Sequence, residues 1–409
     1  MNIEITSPRT LAARIKLPAS KSISNRMLLL SELAERKIKL HNISDCDDTF
    51  VMRHALNERP EVVDIMAAGT AMRFLTAYYA THEGADVIIT GTERMRHRPI
   101  RLLVDALRSL GANIDYEGEE GYPPLRIEGR RLEGGDIWLP GNVSSQYISA
   151  LLMVAPTMVK GLTLHIEGET ISRPYINITL NLMRRFGIVI DEPDEQTYIV
   201  HAGEYSGGDY LIENDWSAAS YWYEALALAD EGEVVLEGLF ADSLQGDSCV
   251  SRLFVPLGVA TEFRGNDAVL RKGATSTARY VADLTECPDL AQTMVATCCG
   301  MGVPFRFSGL QSLRIKETDR LLALRQELAK LSCDIVEHDG SILEWNGQCD
   351  ANVQPQAIDT YDDHRMAMCM APLSRCRSKL IIRDAQVVSK SYPTFWQDLK
   401  SAGYGAEEL

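Results

Sequence analysis

The sequence predicts an α/β protein assembled from repeated units of about 70 residues. Three observations carry that prediction. A helix–turn–strand junction recurs, in which an amphipathic run ends in Leu or Phe, a small residue follows and a β-branched segment begins. Its copies are LLVDALRSLGANID (102–115), LNLMRRFGIVID (180–191), SRLFVPLGVATEF (251–263), LLALRQELAKLSCDIVE (321–337) and, more weakly, TFWQDLKSAGYG (394–405). Their anchors, Gly111, Gly187, Gly258, Ser332 and Gly403, stand 76, 71, 74 and 71 residues apart. Finally, 409 residues with 45% apolar and 24% charged side chains have globular composition and exceed one ordinary core.

Each part of the junction has a local cause. Glycine just past a helix end adopts the left-handed backbone at little cost, and so stops the helix. Ser332 departs from that rule, but a serine hydroxyl can end a helix by bonding to nearby backbone. An earlier candidate copy, DDTFVMRHALNE (47–58), lies too close to Gly111 for a full unit, so that unit reads as shortened. Segments such as 37–41 and 87–90 supply strands. A period near 70 is too long for a solenoid and points to a few compact subdomains. Ser/Gly-rich, Pro-rich and low-complexity linkers are absent from the sequence.

Charge and cysteine usage narrow the function. Lys plus Arg number 41 and Asp plus Glu 57, for a net charge of −16. That balance argues against a nucleic-acid or anionic-membrane binder, yet leaves a local anion pocket open. Nine scattered cysteines without a C-x-x-C fit free, mostly buried thiols in a reducing cytoplasm. The start, MNIEITSPRT, lacks a basic region followed by an apolar run, and the longest apolar stretch, 147–159, is too short to span a bilayer. The expectation is a cytoplasmic chain.

Small polar residues at helix starts leave backbone N–H groups pointing outward, a setting that binds phosphate or carboxylate. Four candidates fall in the first half: 18–26 with Lys21 and Arg26, 68–73 with Gly69, 142–146 with two hydroxyls and Gln146, and 172–175. Each also reads as ordinary helix capping, the third as a capping box. The 18–26 segment lacks the glycines of a Walker loop. In the second half, 314–320 places Lys316 and Arg320 four apart, on one face if helical, with Glu317 between them. A carboxylate beside cations can serve as a base and, once protonated, as an acid. The alternative is a solvated charged turn. Asp289 reads as an N-cap or a catalytic carboxylate, 361–368 sets Asp, His and Arg before an apolar helix, and 389–393 adds Lys390. The cluster 94–98 is the one local basic run and includes Arg98.

In order, PASKSISNR (18–26), AGTAMR (68–73), RMRHRPI (94–100), VSSQY (143–147), SRPY (172–175), RIKETDR (314–320), YDDHRMAM (361–368) and SKSYP (389–393) closely resemble the motifs of the 5-enolpyruvylshikimate-3-phosphate synthase family of enolpyruvyl transferases. The resemblance implies α/β architecture in two similar domains, each of three βαβαββ-type units in an inside-out α/β barrel, the first unit shortened. It implies domains at 20–244 and at 1–19 with 245–409, with helix N-termini lining a cleft that closes over substrate. It implies transfer of the enolpyruvyl group of phosphoenolpyruvate to the 5-hydroxyl of shikimate 3-phosphate, in aromatic amino acid biosynthesis, and a target for glyphosate.

By the same resemblance Asp289, Glu317 and Lys21 are catalytic. Lys21, Ser22, Arg26, Ser144, Ser145, Gln146, Ser172, Asp289 and Lys316 contact shikimate 3-phosphate. Lys21, Gly69, Arg98, Gln146, Arg320, Arg365 and Lys390 hold phosphoenolpyruvate. The implied partners are these two small molecules, with no metal, no cofactor, no nucleic acid and no membrane, and the expected state is a monomer. Two departures stand out: Ala67 and Ser312 occupy positions where the family commonly has Asn. The sister enzyme acting on UDP-N-acetylglucosamine typically has Asn after its N-terminal Lys and a loop Cys, where this chain has Ser22 and a Cys-free 94–100. A non-catalytic anion-binding relative would be expected to lack Lys21, Asp289 or Glu317, and all three are present.

Overall fold

A computed structural model of the chain describes residues 1–168, 170, 172–350 and 356–409. They divide into two compact units: a terminal unit, Met1–Pro18 with Glu213–Leu409, and an inserted unit, Ala19–Ile212. The sequence expectation placed the return at 244/245, whereas the structure places it at Ile212–Glu213. Strand pairing explains the difference. Gly208–Leu211 still pairs in parallel with Ile38–His41 of the inserted unit. One helix later, Glu231–Glu237 pairs along its whole length with Thr10–Lys16 of the terminal unit.

Four sheets share one strand pattern: a parallel pair, then two antiparallel strands, with the last two strands in sequence swapped in space. In the inserted unit, Val62–Asp64 runs parallel to Asp86–Thr90, followed by Leu125–Glu128 and Asn113–Tyr116. Gly135–Pro140 and Leu162–Glu167 head the second such sheet, followed by Thr197–Val200 and Ile190–Asp194. The terminal unit holds two more, headed by Thr10–Lys16 with Glu231–Glu237 and by Tyr280–Asp283 with Phe305–Ser308. Parallel neighbours need a crossover, and a helix supplies it: Gly69–Thr81, Ser145–Val154, Trp216–Leu228 and Ala291–Met301 each precede the second strand.

Two smaller sheets vary the pattern. Ile38–His41 and Gly208–Leu211 form a parallel pair without the antiparallel strands, where the chain between Asp48 and Gly69 is short. In the terminal unit, Ile3–Thr6 lies between Leu380–Ile382 and Gly405–Glu408. An isolated parallel bridge, Ile358 to Ile382, marks the remaining strand position. The N-terminal strand thus completes a sheet begun by the C-terminal segment.

Burial sets helices inside and sheets outside in each unit. Every residue of Gly69–Thr81 except Thr81, and of Trp216–Leu228 except Ser217, is buried. Helices apolar all round belong in a core. Strands such as Leu162–Glu167 bury only alternate residues, so one face packs on the helices and the other meets water. The anchors behave as the junction requires, with φ of 102° at Gly111, 91° at Gly187, 83° at Gly258, 61° at Ser332 and 92° at Gly403. Arg59, with φ of 46°, ends the helix Asp47–Glu58 in the same way. No helix among the described residues is long and apolar enough to cross a membrane.

Candidate anion-binding and acid–base site

In the inserted unit, the helices Lys21–Leu33, Gly69–Thr81, Ser145–Val154 and Arg173–Arg185 begin at the four motifs singled out above. Ser20 caps the first, accepting from the Ile23 N–H at 3.4 Å. Lys21, the first helical residue, reaches the buried Asp48 carboxylate at 3.5 Å. Ser144 caps the third helix, and its hydroxyl accepts from the Gln146 N–H at 3.4 Å. Gln146 does not complete a capping box; its Nε2 donates to Thr70 Oγ1 at 2.9 Å, joining the second and third helix starts. Ser145 is buried beside it. Ser172 is buried, adopts a left-handed φ of 57° and caps no backbone N–H with its side chain. A non-glycine residue held there stores about 1–2 kcal/mol, which the surrounding packing maintains.

Arg26 is placed differently from its sequence neighbours. It is buried, and its guanidinium donates to Thr179 Oγ1 at 2.7 Å, Ser149 Oγ at 3.2 Å, the Tyr175 carbonyl at 3.0 Å and the Ser22 carbonyl at 2.9 Å. Burial pushes its pKa down to about 10. Arg26 therefore ties the first helix to the third and fourth. Arg98 is set against Gly69, close enough that a β-carbon there would meet Arg98 Nη1 at 2.5 Å. The Gly69 carbonyl accepts from Arg73 at 2.9 Å, which fixes the first turn of that helix.

The terminal unit gathers the charged residues of the second half. Asp289 sits inside the turn Pro288–Leu290 ahead of Ala291–Met301, where the N-cap positions fall on Cys287 and Leu290 and not on Asp289. Its carboxylate accepts from Arg320 Nη1 at 3.1 Å and Arg365 Nη2 at 3.0 Å, with Lys316 Nζ at 3.7 Å. Arg365 Nη1 also donates to the Asp289 carbonyl at 3.1 Å. Burial raises the Asp289 pKa, but Arg365, Lys316 and Arg320 together outweigh it and hold the carboxyl well below the usual range.

Glu317 accepts from Arg320 Nη2 at 3.0 Å and lies 3.6 Å from Lys390 Nζ. Arg320 is fully buried, its Nε donating to Asp363 at 2.7 Å. Asp363 in turn caps the helix His364–Met370 by accepting from the Arg365 N–H at 2.9 Å. Lys316 is not on the helix with Arg320, as the four-residue spacing suggested. The helix is Arg320–Ala329, capped by Asp319, and Lys316 precedes it in extended backbone. The two cations meet at Asp289 instead.

Several residues here had no site role in the sequence, Thr70 being read there only as a helix cap. Asp48, Thr70, Ser149 and Thr179 hold Lys21, Gln146 and Arg26 in place. Asp363 had a signal, an Asp directly before a helix. Ser217 and Asp247 had none. Ser217 Oγ accepts from Arg365 Nη2 at 3.3 Å and donates to the buried Asp247 carboxylate. Burial first, and then Asp289, push Asp247 above the usual carboxylate range.

Fixed cations and helix starts of this kind define a protein of the anion-binding α/β class. The family model for EPSP synthase (3-phosphoshikimate 1-carboxyvinyltransferase) matches residues 5–59 and 55–399. A 3-phosphoshikimate 1-carboxyvinyltransferase of Bacteroides fragilis (strain YCH46) is 52% identical, covering 99% of this chain and 98% of the relative. One from Marinomonas sp. is 35% identical, covering 94% and 95%. The solved EPSP synthase of Acinetobacter baumannii shares the fold, with a TM-score of 0.77 at 20% identity over 100% of both chains. The chain belongs to the EPSP synthase family.

Proposed function

We infer that the chain transfers the enolpyruvyl group of phosphoenolpyruvate to the 5-hydroxyl of shikimate 3-phosphate and releases phosphate, by addition and then elimination through a tetrahedral adduct. The observation that carries the chemistry is the Asp289 carboxylate shared by Arg320, Arg365 and Lys316. A carboxylate held ionised by three cations is a weak base. When an anionic substrate draws those cations to itself, the carboxylate loses its counter-charges and its proton affinity rises. Asp289 thereby becomes competent to accept the 5-hydroxyl proton once substrate is bound.

Glu317 has the matching role at carbon. Protonating the methylene carbon of phosphoenolpyruvate gives C2 positive character, and the hydroxyl oxygen attacks C2. In the second half, a proton returns from the new methyl carbon as the bond from C2 to the phosphate oxygen breaks. A single group near that carbon serves both transfers, and Glu317, set between Arg320 and Lys390, is the candidate, with Lys21 assisting. Lys21, Gly69, Arg98, Gln146, Arg320, Arg365 and Lys390 are assigned to phosphoenolpyruvate. Lys21, Ser22, Ser144, Ser145, Gln146, Ser172, Asp289 and Lys316 are assigned to shikimate 3-phosphate. Arg26, whose donors serve the helix packing, acts in this reading chiefly by setting the first helix start. Each unit is read as an inside-out α/β barrel, with helices inside and sheets outside, in a cytoplasmic monomer.

A phosphate-release assay tests the reading. Release from phosphoenolpyruvate should require shikimate 3-phosphate. Release with UDP-N-acetylglucosamine instead, or with neither acceptor, would refute it.

A further inference from the structure

Away from the charged cluster, the terminal unit assembles a group of thiols that the sequence leaves scattered. All nine cysteines are free, and six of them are buried. Where the helix Arg320–Ala329 ends and the chain turns at Ser332, Cys333 Sγ comes within 3.8 Å of the Leu331 carbonyl oxygen. Cys349 Sγ approaches the same oxygen to 3.3 Å. Arg377 Nη2 donates to both, at 2.7 Å to the Cys349 sulfur and 2.7 Å to the Leu331 oxygen. Cys333 and Cys349 thus converge on one carbonyl oxygen, and Cys299 interacts electrostatically with Cys333. Cys333 and Cys299 are buried and Cys349 is exposed. The proposed reaction uses none of these groups.

We propose that Cys349 and Cys333 form an oxidation site for hydroperoxides, with Cys349 as the sulfur that meets the oxidant and Cys333 as the sulfur that resolves it. Exposure selects Cys349 for the first step, and the Arg377 guanidinium stabilises its thiolate. That thiolate attacks the terminal peroxide oxygen. A sulfur–oxygen bond forms as the oxygen–oxygen bond breaks, the leaving alkoxide or hydroxide takes up a proton, and Cys349 becomes a sulfenic acid. The Cys333 thiolate then attacks the Cys349 sulfur, and the hydroxide leaves as water. Two thiols and one hydroperoxide yield one disulfide, one alcohol (water, for hydrogen peroxide) and one water. The sulfurs give up two electrons and the peroxide takes them.

The surroundings fit that division of labour. The interaction with Cys299 outweighs burial and, with Cys349 and Arg377, holds the Cys333 thiol below its usual range, so the resolving sulfur is the more readily ionised. Burial, and next Cys333, raise Cys349 against the pull of Arg377, so its first step should quicken as pH rises above neutral.

The test treats the purified full-length chain with hydrogen peroxide, blocks remaining thiols with N-ethylmaleimide and maps the peptides by mass. The expected result is a mass loss of about 2 Da, a Cys333–Cys349 cross-link, and reversal by dithiothreitol. Cys349→Ser should abolish the cross-link and Cys299→Ser should leave it. Peptide mapping of the unsubstituted chain decides the matter even if a variant folds poorly. The proposal is overturned if both thiols remain blockable, if Cys349 accumulates sulfinic acid while Cys333 stays reduced, or if the link joins Cys299 or Cys376 instead.

Discussion

The guanidinium of Arg98 rests on the α-carbon of Gly69, so that a β-carbon at 69 would stand 2.5 Å from Arg98 Nη1 and 3.0 Å from Arg73 Nη1. Real β-carbons do not sit at the shorter distance, so any side chain at 69 moves Arg98. The atom in the way is the end of a long flexible side chain, which can swing aside at small cost to the fold. Gly69→Ala is therefore expected to leave thermal stability nearly unchanged. It should raise KM for phosphoenolpyruvate by about tenfold or more, since misplacing a positioning group by an ångström costs up to about 100-fold. KM for shikimate 3-phosphate should stay within a factor of about two to three. Steady-state kinetics with each substrate varied separates the two, and equal effects on both would sink the assignment of Arg98.

Glu317→Gln keeps an oxygen for Arg320 but removes the carboxylate that accepts and returns a proton. Turnover should fall by about 10²- to 10⁴-fold, with shikimate 3-phosphate affinity close to that of the parent chain. Near-normal turnover would remove Glu317 from the proton path.

Asp247 and Asp289 couple stability to pH with opposite signs. Asp289 has a depressed pKa when folded, so it contributes stability above the ordinary carboxylate range and loses it as pH falls below that range. Asp247 has a raised pKa, so its contribution is present below its unfolded pKa and is lost as pH rises through the folded one. Asp247→Asn should accordingly raise the melting temperature at pH 7.5, and the gain should shrink towards pH 4. A gain that is the same at both pH values, or no gain at either, would contradict the buried-charge account.

The repeat anchors make a paired prediction about the backbone. At Gly187 a β-carbon would meet nothing closer than Ser206 Oγ at 3.5 Å, so Gly187→Ala tests the left-handed backbone alone. It should cost about 1–2 kcal/mol in urea denaturation. Ser332 bears the same conformation without glycine's freedom. Ser332→Gly should stabilise the chain by a few tenths to about 1 kcal/mol, the relief of strain being offset in part by a looser unfolded chain. Destabilisation by Ser332→Gly would mean that its hydroxyl matters more than its backbone.

The structure also shows which statements sequence alone could make. Stopping a helix at Gly111 or Gly258 needs only local backbone energetics, so the repeat period was visible in one dimension. Helix starts at Lys21, Gly69, Ser145 and Arg173 were likewise marked by small polar residues within a turn of each end. Arg26 and Lys316 show the limit. Both lie in charged motifs, but Arg26 turns inward because Ser149, Thr179 and the Tyr175 carbonyl meet it there. Lys316 reaches Asp289 from outside the helix where its spacing to Arg320 suggested it would lie.

By itself the sequence determined the α/β units, their period and the shortened first copy, and it marked the candidate residues for anion binding. Each of those follows from backbone preference or hydrophobic patterning over a few residues. Tertiary structure decided which carboxylate faces which cation. Asp289 meets Arg365 across 76 residues of chain and Asp363 meets Arg320 across 43, and no local signal marked Asp247 or the Cys333–Cys349 pair. Ion pairs and thiol contacts of that kind depend on distances in space, and those are set only when the helices and sheets have packed.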